Sequence, residues 1–152
     1  MQLTTAFALV ASIGWANEDL IQIRDHAGGL EREYRELGTK LKVKSFSVTE
    51  LQDRLGAATS DITRLKELVA KFETANPATS HGKDWATDKD WKTTQVLVKL
   101  IDLFHTQKLN TLNDEPLKKR GLLKSHADGL IQRTAMLRET VDRLLKTMPA
   151  GS

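Results

Sequence analysis

The spacing of its apolar residues is what most limits the folds open to this chain. Side chains recurring alternately at three and four positions fall on one side of a 3.6-residue helix and cannot line one face of a strand. Leu20, Ile23, Ala27, Leu30, Tyr34 and Leu37 keep that spacing without a break and predict a first helix. Gly28 and Gly29 interrupt its interior. Each costs about 1 kcal/mol relative to alanine there, so the pair is expected to weaken, kink or split the segment.

The same spacing returns in Val48, Leu51, Leu55, Ala58, Ile62, Leu65, Val69 and Phe72, the second helix. Its start is written in the sequence as well. Ser47 stands three residues before Glu50, the spacing of a capping box, and Phe46 ahead of the cap can close on Leu51 as a hydrophobic staple. Residues 74–87 carry Pro77, Gly82 and many small polar groups, and read as a loop. A third helix is expected from about Asp88 to Leu112 with a wide apolar face of Trp91, Leu97, Val98, Ile101, Phe104, Leu109 and Leu112, which implies neighbours on two sides. The run Asn113-Asp114-Glu115-Pro116 breaks it, because proline removes a helical hydrogen bond. Leu123, Ala127, Leu130, Thr134, Leu137, Val141, Leu144 and Met148 mark the last helix, which stops at Pro149.

Amphipathic segments joined by short breaks, with no alternating strand pattern between them, predict an all-α fold: an antiparallel bundle of four to five helices. A long coiled coil is the competing architecture, and the regular Gly and Pro interruptions favour folding back. Hydrophobic residues make up 39% of the chain and aromatic residues only 5%, so aliphatic side chains must fill the core. There is no cysteine, which removes disulfides, thiolate nucleophiles and thiolate metal sites together.

The first sixteen residues hold no charged side chain, and the apolar run Ala6 to Ala16 ends in Gly14-Trp15-Ala16, small residues at the two positions a signal peptidase inspects. Residues 1–16 are read as a secretory signal and 17–149 as one helical-bundle domain. The alternative is an apolar first helix docked on the bundle. The run is too short for a transmembrane helix, which needs about 20 apolar residues, so an integral membrane protein is not expected. No Asn-x-Ser/Thr acceptor is present.

Catalysis asks for a nucleophile with a base, a carboxylate pair, a metal or a cofactor loop. His26, His81, His105 and His126 share no zinc-motif spacing, and neither a phosphate loop nor a Gly-x-Ser-x-Gly elbow occurs. No enzyme, metal or cofactor is expected. His105 and His126 lie beside the apolar faces of the third and fourth helices, and are read as boundary histidines hydrogen-bonded near the surface. Lys40, Lys42 and Lys44 form one basic cluster and Lys118, Lys119, Arg120 and Lys124 another. Neither has the stacking aromatics or groove-reading helix of a nucleic-acid binder, and a net charge of +3 adds little attraction. Both are read as solvated loop or helix termini whose side-chain stems cover apolar surface, with an anionic lipid head group or acidic cell-wall polymer as the alternative partner. Trp85 and Trp91 bracket the third helix start, where such rings either close the end of a core or gate a pocket, and closing the core is the expectation.

The C-terminal third carries a resemblance. The run Leu-Asn-Thr-Leu-Asn-Asp-Glu-Pro-Leu-Lys-Lys-Arg-Gly from Leu109, then one long helix with Leu130, Leu137 and Leu144, then Met148-Pro149, resembles the fungal hydrophobic surface-binding protein A and cell-wall mannoprotein family. The leader Met-Gln-Leu-Thr-Thr-Ala-Phe-Ala-Leu-Val-Ala also looks like a fungal secretion signal. This chain is richer in Lys, Arg and Trp than that family and poorer in Ala, Ser and Thr. The resemblance implies a secreted, cell-wall-associated helical bundle that adsorbs to hydrophobic surfaces or holds fatty acids between its helices.

The expectation is therefore a secreted, non-enzymatic binder of lipids or hydrophobic surfaces, its ligand lined by Phe72, Leu97, Ile101, Phe104, Leu130, Leu137 and Val141. Each of these is by default an ordinary core residue. A secreted effector or structural protein acting through protein contacts is the alternative, and a metal or haem bundle using His105 and His126 is a third.

Overall fold

The computed structural model describes residues 2–43, 47–76, 79–80, 82–111 and 118–148, with side chains from Asn17 onward. Helix α1 spans Gln2–Leu41. It passes through Gly28 and Gly29 as one helix, correcting the expected kink. The stripe on both sides of the pair, from Leu20 to Leu37, is buried, and that packing outweighs the local propensity cost. Nor does the fold need glycine there: a Cβ at Gly28 would lie 3.7 Å from Arg138 Cδ and one at Gly29 3.9 Å from Arg32 Nη2, ordinary contacts. Gly28→Ala combined with Gly29→Ala is expected to raise stability by about 1–2 kcal/mol in thermal unfolding. A drop instead would show that the added methyls crowd the Arg138 and Arg32 side chains.

Helix α2 spans Val48–Ala75, with the Ser47 hydroxyl accepting from the Glu50 amide at 3.3 Å as the cap predicts. The Glu50 carboxylate turns outward to Lys40 and Arg54. Phe46, the other half of the expected staple, lies outside the described residues. Within the expected loop stands a short hairpin, β1 (Thr79–Ser80) against β2 (Lys83–Asp84), antiparallel with Ser80 opposite Lys83. Gly82 at φ 75° takes the left-handed turn position that side chains resist.

Helix α3 spans Lys89–Phe104, capped by Asp88, whose carboxylate accepts from the Trp91 amide at 2.9 Å. It does not simply run on as expected. His105–Leu109 form a π-turn, in which the Asn110 amide bonds back to the His105 carbonyl. Helix α4 spans Arg120–Lys146. The breaks expected at Asn113 to Pro116 and at Pro149 lie outside the described residues.

Cross-helix pairs give the topology. Glu33–Arg54, His26–Asp61 and Asp19–Lys71 run antiparallel along α1 and α2, and Glu31–Arg138 and Arg24–Asp142 do so along α1 and α4. Gln95–Glu73 and Lys66–Asp102 set α3 antiparallel to α2. The result is an up-down-up-down four-helix bundle around one continuous core. Its widest interface is α1–α4, followed by α3–α4 and α1–α2, with α2–α3 the thinnest. Since α2 ends one turn beyond Lys71 and α4 one turn beyond Asp142, residues 2–14 of α1 run past the ends of both neighbours. Among the described residues no helix is long and apolar enough to cross a membrane.

Candidate functional site

The seven residues selected from the sequence sit in the core, and the structure spreads them along it. Phe72 is fully buried at the hairpin end, edge-on to Trp85 at 4.8 Å and tilted against Trp91 at 4.5 Å between ring centroids. The two tryptophans therefore close the end of the core. A chain of hydrogen bonds seals it: Trp85 Nε1 donates to Ser80 Oγ, Ser80 Oγ to Asn76 Oδ1, and Asn76 Nδ2 to the Phe72 carbonyl, at 2.8, 2.8 and 3.0 Å. Leu97, Ile101, Leu130, Leu137 and Val141 are buried on α3 and α4. Phe104 is half-buried at the other end of α3, with the Arg133 guanidinium 4.0 Å over its ring.

None of the seven lines any of the four described clefts, but three stand beside one. Along the α2–α3 seam is a cleft of about 200 Å³ with a floor of Val69, Ala70 and Val98 and a rim of Lys66, Glu73, Gln95 and Lys99. Phe72, Leu97 and Ile101 lie within one turn of that floor along the same helices. Gln95 Nε2 donates to Glu73 at 2.7 Å across one end of the seam, and Lys66 meets Asp102 at 3.1 Å further along. Lys99 has no acidic partner among the described residues. The stripe pattern had already marked Val69 and Val98 as apolar. Nothing in it separates a residue at the edge of a core from one at its centre, and the lysines of the rim carry no periodic signal at all.

A second feature was missed, and it is the most polar part of the interior. His105 is 1% exposed, not at the surface as expected. Its Nδ1 lies 2.9 Å from Tyr34 Oη and its Nε2 2.9 Å from Thr59 Oγ1. The Thr59 hydroxyl already donates to the Leu55 carbonyl at 2.8 Å, so towards His105 it must accept. That places the imidazole proton on Nε2, leaves Nδ1 as an acceptor, and makes Tyr34 the donor. Every partner is satisfied only by the neutral ring. Burial lowers the His105 pKa, against the opposing pull of the Leu55 carbonyl and Asp102. Burial likewise pushes the Tyr34 hydroxyl far above the usual phenol range, with Asp61 adding to it. The trio joins α1, α2 and the π-turn. It is a tie between helices and touches none of the described clefts, so it offers no route for a substrate. His126 is half-exposed, and among the described residues no group of three His, Asp, Glu or Cys is placed to hold a metal.

The outer face of α1 is charged. Clefts of about 360 and 320 Å³ flank Gly28 and Gly29 and share Asp25 and Arg32. The first is lined by Arg24, Arg138 and Asp142 and the second by His26, Glu33 and Asp61. Arg24 and Arg138 are held by Asp142 and Glu31 at 3.4 and 3.3 Å. Of the two basic clusters, Lys40 pairs with Glu50 and Lys124 with Asp128. Among the exposed apolar side chains, Val96 and Leu103 on α3 and Met136 on α4 are each about half exposed, as are Val43 and Leu122 within the two basic clusters.

Comparison with models of known protein families, with curated proteins and with solved structures gave no match.

Proposed function

We propose that this chain is a secreted, non-enzymatic protein that binds fatty-acid-like lipids or hydrophobic surfaces, at the cell wall in keeping with the family it resembles. The observation that carries the reading is the α2–α3 seam. It is the thinnest of the four interfaces between neighbouring helices, its cleft has an apolar floor, and the ammonium of Lys99, without an acidic partner among the described residues, stands at the rim. An acyl chain laid against Val69, Ala70 and Val98 would put an acid head group within reach of that ammonium. Small-molecule pockets usually measure about 300–1,000 Å³, so a cleft of about 200 Å³ must widen by parting α2 from α3. Two side-chain bridges, Gln95–Glu73 and Lys66–Asp102, are what would have to yield on the exposed side. Adsorption to an apolar surface would draw on the exposed Val96, Leu103 and Met136. Secretion belongs to the same proposal, with cleavage after Ala16, where the apolar run ends and the charged residues Glu18 and Asp19 follow.

Native mass spectrometry with extraction, together with titration of a fluorescent fatty acid, tests this. One equivalent of lipid is expected, with Val98→Trp, which fills the cleft, weakening uptake by about tenfold or more, a loss of some 1.4 kcal/mol. Protein that carries no lipid, takes up no probe and does not coat an apolar surface would overturn the reading and leave protein contacts as the function. An intact Met1 in the medium of a secreting host would overturn the leader.

A further inference from the structure

Three side-chain ties cross the α2–α3 seam in register. Glu73–Gln95 stands at the hairpin end, Lys66–Asp102 follows, and Thr59–His105 closes the far end. The first two are exposed polar bridges that water replaces at little cost. The third joins the exposed Thr59 to the buried His105 ring, and a fully buried bond to Tyr34 fastens the same ring to α1 as well. His105 also opens the π-turn, a local departure from α-helical bonding of the kind frequent at functional sites.

We propose that His105 is a proton-operated pin that locks the end of α3 onto α1 and α2 while its ring is neutral, and releases the α2–α3 seam when the ring is protonated. The hydrogen-bond roles dictate this. A second proton on Nδ1 meets the Tyr34 hydroxyl, which is donating to that nitrogen. To accept instead, Tyr34 must turn its own proton into a core where it is 1% exposed. The imidazolium is at the same time a charge in an apolar interior, where burial costs far more than at the surface. The groups around it do not neutralise it. From α1 the facing group is Tyr34 and from α2 the uncharged Thr59 and the Leu55 carbonyl, with Asp61 acting on the Tyr34 side. From α3 there is Asp102, itself engaged by Lys66, and from α4 Arg133 lies over Phe104, the preceding residue, as a further positive charge. Swinging the ring out of the core relieves the conflict and severs both ties at once.

The direction with pH follows from linkage. The locked state holds His105 below its ordinary pKa of about 6.5, and the released state restores it, so the released state binds more protons in the window between the two values. Acid therefore favours release. The consequence for cargo rests on the lipid reading above: a chain held in the seam exchanges faster as pH falls.

Hydrogen exchange of the 101–109 amides, compared between wild type and His105→Gln at about pH 7.5 and about pH 5, tests the pin without any ligand. The glutamine amide can accept from Tyr34 and donate to Thr59 but cannot take up a proton, and the comparison at each pH cancels the intrinsic pH dependence of exchange. The wild-type-to-variant ratio is expected to rise on the order of tenfold at the lower pH, about 1.4 kcal/mol of differential opening, while amides of 130–141 keep theirs. An unchanged ratio overturns the proposal. Should the glutamine variant not fold, Tyr34→Phe serves: with no donor to Nδ1, the His105 resonance should titrate at higher pH and the pH dependence of exchange should flatten, and an unmoved titration counts against the pin. Dissociation of a fluorophore-labelled alkyl sulfonate, whose head group keeps its charge throughout, then separates the two readings. An acid-responsive seam that never binds the probe overturns the cargo and not the pin. A bound probe whose release ignores pH, with an unchanged exchange ratio, overturns the pin and not the cargo.

Discussion

Phe72→Ala is expected to destabilise the protein by about 3–5 kcal/mol, read as a lower urea midpoint at unchanged slope. The ring is 0% exposed and meets two indoles in edge-on and tilted geometry, so truncation forfeits the transfer of a large apolar surface and leaves a void that neighbours cannot close. Rigid aromatic walls collapse less than aliphatic ones. Trp85 is also fastened by its Nε1 to Ser80, which holds it away from the gap. The value discriminates between two uses of the same apolar stripe. A residue lining a space kept for ligand loses little packing when shortened, so a cost below about 1 kcal/mol would mean that the end of the bundle is a cavity and not a plug.

Tyr34→Phe removes one oxygen and is expected to cost about 1–3 kcal/mol at neutral pH, because the buried acceptor His105 Nδ1 is left without its donor. Chemical unfolding at about pH 7.5 measures it. The cost should shrink as pH falls below about 6.5, the ordinary histidine value. In the wild type the folded state holds His105 below that value, so the unfolded chain takes up the proton first and acid erodes stability. Without the hydroxyl, the folded ring titrates closer to its ordinary value and this erosion is smaller. A constant difference between wild type and variant across this range would show that Tyr34 does not control the ring.

The helices were legible because burial repeats with the helical turn. Leu51 to Phe72 and Leu123 to Leu144 are buried at nearly every position the stripe marked, and the Ser47 cap stands where its spacing with Glu50 placed it. Gly28 and Gly29 misled in one respect only. Helix propensity is a local term of about 1 kcal/mol per glycine, and the buried residues on either side of the pair carry the helix across it. The π-turn was not legible, since one extra residue in a turn leaves the apolar spacing of Ile101 and Leu109 intact to the eye. His105 looked like a boundary residue for the same reason: a polar side chain beside an apolar stripe says nothing about partners 46 and 71 residues away.

The sequence by itself determined an all-α bundle, its helix faces and the starts of α2 and α3, because these depend on neighbours within a few residues. Which two helices meet most loosely, whether Phe72 plugs a core or lines a space, and where the histidine proton sits were decided only by tertiary structure. Each depends on what a distant helix places opposite a given side chain, and a stripe that fills a core reads the same as a stripe at the edge of a cleft.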